Sequence, residues 1–162
     1  MMDITRERMK DLRDQVHLFS GLTFFELAQI LRHATNITFT DGDIIASEGC
    51  PGSRMYVLLA GRAVVTLVKP DCEEIIAVVD AGDTVGEMCL LNSAPRSARL
   101  VAGGVTSVLE IEQSTLDDAS PVLAGKLYRN LAEILSERLR QSNQRKSTKT
   151  PSPMNTKELE TL

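Results

Sequence analysis

A single short stretch, Thr84 to Arg99, concentrates side chains that could bind a small charged ligand. It contains the carboxylate of Glu87, the guanidinium of Arg96 and the hydroxyl of Ser97. An arginine can hold two phosphate oxygens at once, and backbone N–H groups at a helix start attract the same charge. Because a carboxylate cannot bind an anion, Glu87 must accept hydrogen bonds from hydroxyls elsewhere on the ligand. The stretch therefore predicts a site for a small molecule that carries a phosphate with hydroxyls close by.

The order and spacing of these residues closely resemble the phosphate-binding cassette of cyclic nucleotide-binding domains. Gly86-Glu87 comes first, an apolar turn follows, and Arg96-Ser97-Ala98 stands directly after a proline. Such domains occur in catabolite-activator-type regulators, in cyclic-nucleotide-gated channels and in the regulatory subunits of cyclic-nucleotide-dependent kinases. The resemblance covers about residues 18–141 and is most specific between residues 84 and 98.

The resemblance implies a role for most residues of the cassette. Arg96 would grip the cyclic phosphate, Ser97 would add a hydroxyl hydrogen bond, and the amides near Ser97 and Ala98 would complete the cradle. Glu87 would accept a hydrogen bond from the ribose 2′-hydroxyl. Gly86 is either a plain turn residue or a position where the ligand comes close to the backbone. The full set of expected ligand-binding residues is Val85, Gly86, Glu87, Met88, Cys89, Arg96, Ser97, Ala98 and Arg138.

The apolar turn of the cassette, residues 88–91, is expected to pack a short helix against the barrel. The backbone of Met88 and Cys89 would lie close enough to the ligand to contribute contacts. Cys89 is one of three widely spaced cysteines, with Cys50 and Cys72. Because no Cys-x-x-Cys spacing exists, a zinc site is not expected, and the three are interpreted as reduced thiols packed as small apolar groups.

A last helix closes over the base in this family. Alignment by Pro121 places Arg138 where family members have a base-contacting side chain, so its guanidinium could stack on a purine. The alternative is an arginine that contacts only solvent. Catabolite-activator-type regulators carry a small hydroxyl residue at that position, so base selectivity stays open, with cAMP expected ahead of cGMP.

The middle of the chain has the pattern of many short strands. Apolar and polar residues alternate in runs that turn residues separate, as at Asp41-Gly42-Asp43 and Pro70-Asp71. Ala60-Gly61, between two β-rich runs, is a hairpin signal. About eight short strands at regular spacing indicate a closed barrel or jelly roll. The expected fold is mainly β: an eight-stranded β-roll (double-stranded jelly roll) with N-terminal helices and a C-terminal lid helix.

Helices are predicted on both sides of the strands. Thr23 and Glu26 form a capping box for a helix from about Thr23 to His33. Ser120-Pro121 begins a second helix, because Pro fits a first turn, and apolar residues then recur at helical spacing to about Gln141. This apolar face could pack on its own barrel or pair with a second copy as a homodimer.

The chain divides into three predicted parts. Residues 1–17 form an N-terminal helical segment, residues 18–141 a cyclic nucleotide-binding domain, and residues 142–162 a disordered polar tail. The sequence shows neither a second apolar core nor the helix-turn-helix with which catabolite-activator-type regulators continue. We therefore expect a stand-alone module that acts on an unknown protein partner or by self-association, with an excised piece of a longer protein as the alternative.

Charge and composition limit the other function classes. The net charge of −4 argues against nucleic acid as a partner. No run of about 18 apolar residues predicts a membrane span, and the charged start has no signal region, so a cytoplasmic location is expected. His17 and His33 lie in helical parts, whereas a metal-dependent jelly-roll enzyme needs His ligands on its strands.

The sequence thus predicts a non-enzymatic sensor that binds a cyclic purine mononucleotide and needs no cofactor. The resemblance implies that ligand draws the cassette inward and that the last helix moves onto the base, as a shift between populated states. Two alternatives remain open: a ligand-free β-roll that serves interaction or dimerisation, and a small jelly-roll enzyme that uses a metal.

Overall fold

The computed structural model describes residues 5–92 and 94–147 of the 162-residue chain. Strands fill the middle of the sequence and helices flank them. The helices are α1 (Arg6–Gln15), α2 (Phe24–His33), α3 (Glu87–Asn92), α4 (Gln113–Asp117) and α5 (Pro121–Ser147), with a 3₁₀ turn at His17–Phe19. The strands are β1 (Thr35–Phe39), β2 (Ile44–Ala46), β3 (Arg54–Ala60), β4 (Arg62–Val68), β5 (Glu73–Asp80), β6 (Thr84–Val85), β7 (Arg99–Ala102) and β8 (Thr106–Glu112).

Over the described residues, the eight strands form two four-stranded sheets, and the strand pairs there are antiparallel. The first sheet has the order β1-β8-β3-β6 and the second the order β2-β7-β4-β5. Residues from both sheets form one buried layer between them, so the sheets pack face to face. The predicted eight-stranded β-roll with helices before and after it is confirmed.

The first sheet is covered on both faces, and strand β3 shows how. Met55 and Val57 belong to the apolar layer shared with the helices, whereas Tyr56 and Leu58 belong to the layer between the two sheets. This alternation is the period of two that a strand imposes on its side chains. Helix α1 joins the helical layer through the partly buried Met9, so the N-terminal segment packs against the 3₁₀ turn and α2.

Helix α2 begins as its sequence predicts. The Thr23 hydroxyl accepts from the Glu26 backbone N–H at 3.2 Å, and the Glu26 carboxylate accepts from the Thr23 N–H at 2.7 Å. Lys126 on α5 donates to both carboxylate oxygens of Glu26, at 2.8 and 2.9 Å. The side-chain bond from Lys126 and the backbone bond from Thr23 lower the pKa of Glu26. The capping box therefore also joins α2 to α5.

The first part of α5 is fixed to the 3₁₀ turn by a buried amide. The Asn130 side chain donates to the carbonyl oxygens of Leu18 and Ser20, each at 2.8 Å. Leu123, Leu127 and Leu131 lie buried along the same stretch of the helix. Beyond Leu131 the helix is mostly exposed, so its two parts have different environments.

Three expectations need correction. Helix α5 continues through Ser147, past its predicted end at about Gln141, and residues 148–162 lie outside the described part. Gly61, with a φ of 82°, does not close a hairpin, because β3 and β4 lie in different sheets. The hairpin joins β4 to β5 instead, where the Lys69 N–H donates to the Cys72 carbonyl at 2.9 Å. Cys50 and Cys72 are free but exposed, and are not packed as small apolar groups.

Within the described residues, no helix is both long enough and apolar enough to cross a membrane. The same residues bring together no group of three His, Cys, Asp or Glu side chains that could hold a metal ion.

Candidate ligand-binding site

The cassette begins at the edge strand of the first sheet, β6, and ends in a loop that returns to residues 49 and 50. Strand β6 pairs with β3, with Val85 opposite Tyr56. Gly86 follows the strand, and helix α3 begins at Glu87. The returning loop is held by two backbone bonds, from the Arg96 N–H to the Cys50 carbonyl at 2.9 Å and from the Gly49 N–H to the Arg96 carbonyl at 2.8 Å. The backbone at Gly49 and Cys50 thus fixes the position of the Arg96 backbone, from which the side chain extends.

Arg96 is a buried cation whose side chain contacts a backbone carbonyl and an aromatic ring. Its residue exposure is 9%. One guanidinium nitrogen, Nη2, donates to the Arg54 carbonyl at 2.7 Å, and Cζ lies 5.1 Å from the centroid of the Tyr56 ring. None of the ion pairs formed by the described residues includes Arg96. A desolvated charge without a counter-ion is costly, so these surroundings favour an anion at the guanidinium.

Gly86 leaves the space that the Arg96 guanidinium fills. Its φ of 85° lies in the left-handed region that favours glycine. A Cβ at this position would lie 2.7 Å from Arg96 Nη1 and 3.2 Å from the Arg54 carbonyl oxygen. The sequence left a turn role and a close approach by ligand open. The structure shows a turn conformation together with a close approach by Arg96.

Glu87, the first residue of α3, is a buried carboxylate with one oxygen bonded and one not. Its exposure is 2%. Oε1 accepts from Arg138 Nη1, whereas Oε2 is buried and has no hydrogen-bond partner among the described residues. A buried acceptor that lacks a donor costs about 1–3 kcal/mol, so this oxygen favours a hydroxyl or another donor beside it.

Arg138 reaches the cassette from the exposed part of α5. Its guanidinium donates to the Glu87 carboxylate through Nη1 and to the Thr84 carbonyl through Nη2. The predicted stacking on a purine face stays a prediction, and it would require the guanidinium to leave both acceptors. The observed contacts place Arg138 at the predicted hydroxyl-binding side of the site.

The remaining predicted residues lie around this centre. Val85 and Ala98 are half-buried and Ser97 is exposed. Met88 is 60% exposed and Leu91 47% exposed, so the expectation that the apolar turn packs on the barrel is wrong for these two side chains. Cys89 is a residue of helix α3, and its side chain is outside the described part of the structure.

Two site residues were not predicted from the sequence: Tyr56 and Arg54 of β3. Their contacts with Arg96 join positions about 40 apart in the sequence, and no local spacing signals such a contact. The strand pattern could have placed Tyr56 on the sheet-to-sheet face by alternation with Met55 and Val57. It could not have indicated that β6 would bring the cassette beside it.

A cavity of about 1260 Å³ adjoins the cassette. Residues of β5 and β6 line it on one side and the exposed part of α5 lines it on the other. Thr84, Val85 and Arg138 line it, whereas Glu87 and Arg96 do not. A small-molecule site typically occupies about 300–1,000 Å³, so the cavity is large enough for a nucleotide base. A ligand whose phosphate lies at Arg96 and whose hydroxyls lie at Glu87 would have space for a larger group in the adjoining cavity.

Comparisons with known proteins point to one family. The family model described as the cyclic nucleotide-binding domain matches residues 36–120. The cAMP-dependent protein kinase regulatory subunit of Mycosarcoma maydis is 31% identical over 127 residues, covering 75% of this chain and 24% of that protein. The cGMP-dependent protein kinase of Plasmodium berghei is 33% identical over 129 residues, covering 80% of this chain and 14% of that protein.

A solved structure shows the same fold. The cyclic nucleotide-binding domain from Methylobacillus flagellatus KT superimposes with a TM-score of 0.79 and 24% identity, over 92% of this chain and 88% of that one. The chain spans only about a quarter of the length of the Mycosarcoma maydis relative. Because the family model covers more than half of the sequence, this chain belongs to the cyclic nucleotide-binding domain family.

Proposed function

We propose that this chain is a non-enzymatic sensor that binds a cyclic purine mononucleotide in the cassette. The observation that carries the proposal is the buried Arg96 guanidinium, whose neighbours among the described residues are a carbonyl and an aromatic ring. A phosphate is the ligand group that such a fork binds in a bidentate manner. The Glu87 oxygen without a donor suits the ribose 2′-hydroxyl of the same ligand.

The proposed binding mode uses the residues that the cassette brings together. Arg96 holds the cyclic phosphate, Ser97 adds its hydroxyl, and the amides near Ser97 and Ala98 complete the cradle. Glu87 accepts from the ribose through Oε2, and the backbone near Met88 contributes further contacts. No bond of the ligand is broken in this scheme.

We propose cAMP ahead of cGMP as the ligand. The Mycosarcoma maydis relative is a regulatory subunit of a cAMP-dependent kinase, which supports cAMP. The Plasmodium berghei relative is a cGMP-dependent kinase of similar identity, which makes cGMP the direct competitor. The base would enter the cavity beside α5, where Arg138 is within reach.

The signal would leave through α5. Arg138 joins this helix to Glu87, so a ribose hydroxyl at Glu87 changes the environment of the same carboxylate that holds the helix. Asn130 keeps the first part of α5 on the 3₁₀ turn, so the response would be confined to the part beyond Leu131. The output is then a shift in the position of that part, transmitted to an unknown protein partner.

A second candidate function is dimerisation through α5 without a ligand. Leu139 is exposed on the outer part of the helix, and Ile134 and Leu135 are only half-buried. A second copy could cover these side chains, as in a coiled coil. Sedimentation analysis with and without nucleotide distinguishes a constitutive dimer from a ligand-dependent change.

Calorimetry tests the proposed function directly. The full chain is titrated with cAMP, with cGMP and with 5′-AMP, which has the same base and sugar but an acyclic phosphate. We expect saturable binding of cAMP, weaker binding of cGMP and at least tenfold weaker binding of 5′-AMP. Absence of heat and of thermal stabilisation with both cyclic nucleotides at millimolar concentration would overturn the proposal and favour the ligand-free module.

A further inference from the structure

Tyr56 lies directly beneath the Arg96 guanidinium. Its backbone on β3 pairs with Val85 of β6 on one side and with Glu110 of β8 on the other. Its ring is buried, and its centroid is 5.1 Å from Arg96 Cζ. The ring thus connects the centre of the first sheet to the side chain that is expected to bind the anion.

The two carboxylates near this ring pair with a different arginine, and one of them, Glu110, also bonds the Tyr56 hydroxyl. The Arg54 side chain lies 3.5 Å from Glu110 and 3.5 Å from Glu112, while its carbonyl accepts from Arg96. Burial raises the pKa of Tyr56, Arg96 opposes that rise, and Glu110 reinforces it, so the phenol stays neutral. The partners of Arg96 among the described residues are therefore a ring and a carbonyl, and neither cancels its charge.

We propose that Tyr56 is a positioning residue of the anion site, whose ring face holds the Arg96 guanidinium in place without neutralising it. A carboxylate at this position would also hold the guanidinium, but it would compete with the phosphate. An aromatic face attracts a cation through its quadrupole and leaves the net charge available to a ligand. This inference rests on the proposed function, since Arg96 is taken as the phosphate ligand.

A double-mutant cycle tests the inference. Affinity for cAMP is measured by calorimetry for the unsubstituted chain, Tyr56→Phe, Tyr56→Leu, Arg96→Ala and Tyr56→Leu/Arg96→Ala. We expect Tyr56→Phe to stay within about twofold, because the ring is kept, and Tyr56→Leu to weaken binding about tenfold. In the Arg96→Ala background, Tyr56→Leu should cost less than about twofold, because the two residues act as one unit.

A matched core substitution separates positioning from general packing. Leu58 follows Tyr56 on the same face of β3 and lies in the same apolar layer. Leu58→Val should lower thermal stability and leave cAMP affinity within about twofold. Equal affinity losses for Tyr56→Leu and Leu58→Val, or an unchanged effect of Tyr56→Leu without Arg96, would overturn the inference. No cAMP or cGMP binding by the unsubstituted chain would instead contradict the proposed function.

Tyrosine emission provides a readout that survives if Tyr56→Leu does not fold. The chain contains two tyrosines and no tryptophan, so Tyr128→Phe leaves Tyr56 as the sole emitter. Saturation with cAMP should change this emission, because the phosphate would bind the Arg96 guanidinium, whose Cζ lies 5.1 Å from the ring centroid. The change should vanish in Tyr128→Phe/Arg96→Ala. Constant emission on saturation of Tyr128→Phe would overturn the inference.

Discussion

Arg138 on the last helix is ion-paired with Glu87 at the start of the cassette helix, across 51 positions of sequence. The Glu87 side chain is buried, whereas the Arg138 side chain is partly exposed. One contact therefore links the predicted ribose-binding carboxylate to the helix that would carry the signal.

Removal of this cation should destabilise the fold. Arg138→Gln leaves the buried Glu87 charge without its partner, and we expect a loss of about 1–2 kcal/mol in the free energy of unfolding, allowing for the partial exposure of Arg138. Urea denaturation at neutral pH measures it. Arg140→Gln, which removes a largely exposed pair with Glu137, is the matched control and should change stability by less than about 0.5 kcal/mol. Equal losses in the two variants would argue against a buried ion pair at Glu87.

The Glu87 carboxylate should discriminate ribose from deoxyribose. If Oε2 accepts from the 2′-hydroxyl, 2′-deoxy-cAMP binds the unsubstituted chain about tenfold or more weakly than cAMP. Glu87→Gln turns a charge-assisted bond into a neutral one, so the ratio should fall severalfold. Competition titrations give both ratios. A ratio that stays the same in Glu87→Gln would assign hydroxyl recognition to another residue.

Gly86→Ala should affect binding more than its backbone strain alone explains. Gly42 has a nearly identical φ of 83°, and a Cβ there would meet nothing within 4 Å. Both alanine variants should lose about 1–2 kcal/mol of stability from the left-handed conformation. Only Gly86→Ala displaces the Arg96 guanidinium, so we expect at least tenfold weaker cAMP binding there and near-normal binding in Gly42→Ala. Matching affinities in the two variants would remove the steric role of Gly86.

Acid should destabilise the α2–α5 junction. The pKa of Glu26 is lowered from 4.5 in the folded chain, chiefly by the hydrogen bond from Lys126, so the unfolded chain binds more protons. This contribution is complete above about pH 4.5 and is lost as the pH falls through the lowered value. Between pH 6 and pH 3, the free energy of unfolding, measured by denaturation, should decrease less for Glu26→Gln than for the unsubstituted chain. Hydrogen bonds from Thr40 also lower the pKa of Asp43, but this residue contributes equally in both proteins. The same loss of stability with pH in both proteins would contradict the role of Glu26.

Local chemistry in the sequence predicted much of the fold and part of the site. Thr23 and Glu26 lie within one turn, so the capping box could be predicted without tertiary information. The Gly86-Glu87 and Arg96-Ser97 pairs likewise carry their chemistry within a short stretch. These features depend on side chains that are neighbours in sequence.

Other features depend on contacts between residues far apart in sequence, or on the extension of a helix beyond its apolar part, and local patterns predict neither. The contacts of Arg96 with Tyr56 and of Arg138 with Glu87 join separate elements. The polar composition after Gln141 gives no apolar stripe, yet an established helix extends at little cost once its earlier turns are packed. At Gly61 the residue type signals a turn but not which sheet the next strand joins.

The affinity of Arg96→Ala for cAMP tests the central claim most directly. Calorimetry should show binding about 100- to 1000-fold weaker than that of the unsubstituted chain, because a charged partner of the phosphate is lost. Arg99→Ala is the control: this arginine lies three residues on and pairs with Glu73 at 3.3 Å, and its removal should leave affinity within about threefold. Unchanged cAMP affinity in a folded Arg96→Ala variant would contradict the assignment of the cassette as the phosphate site.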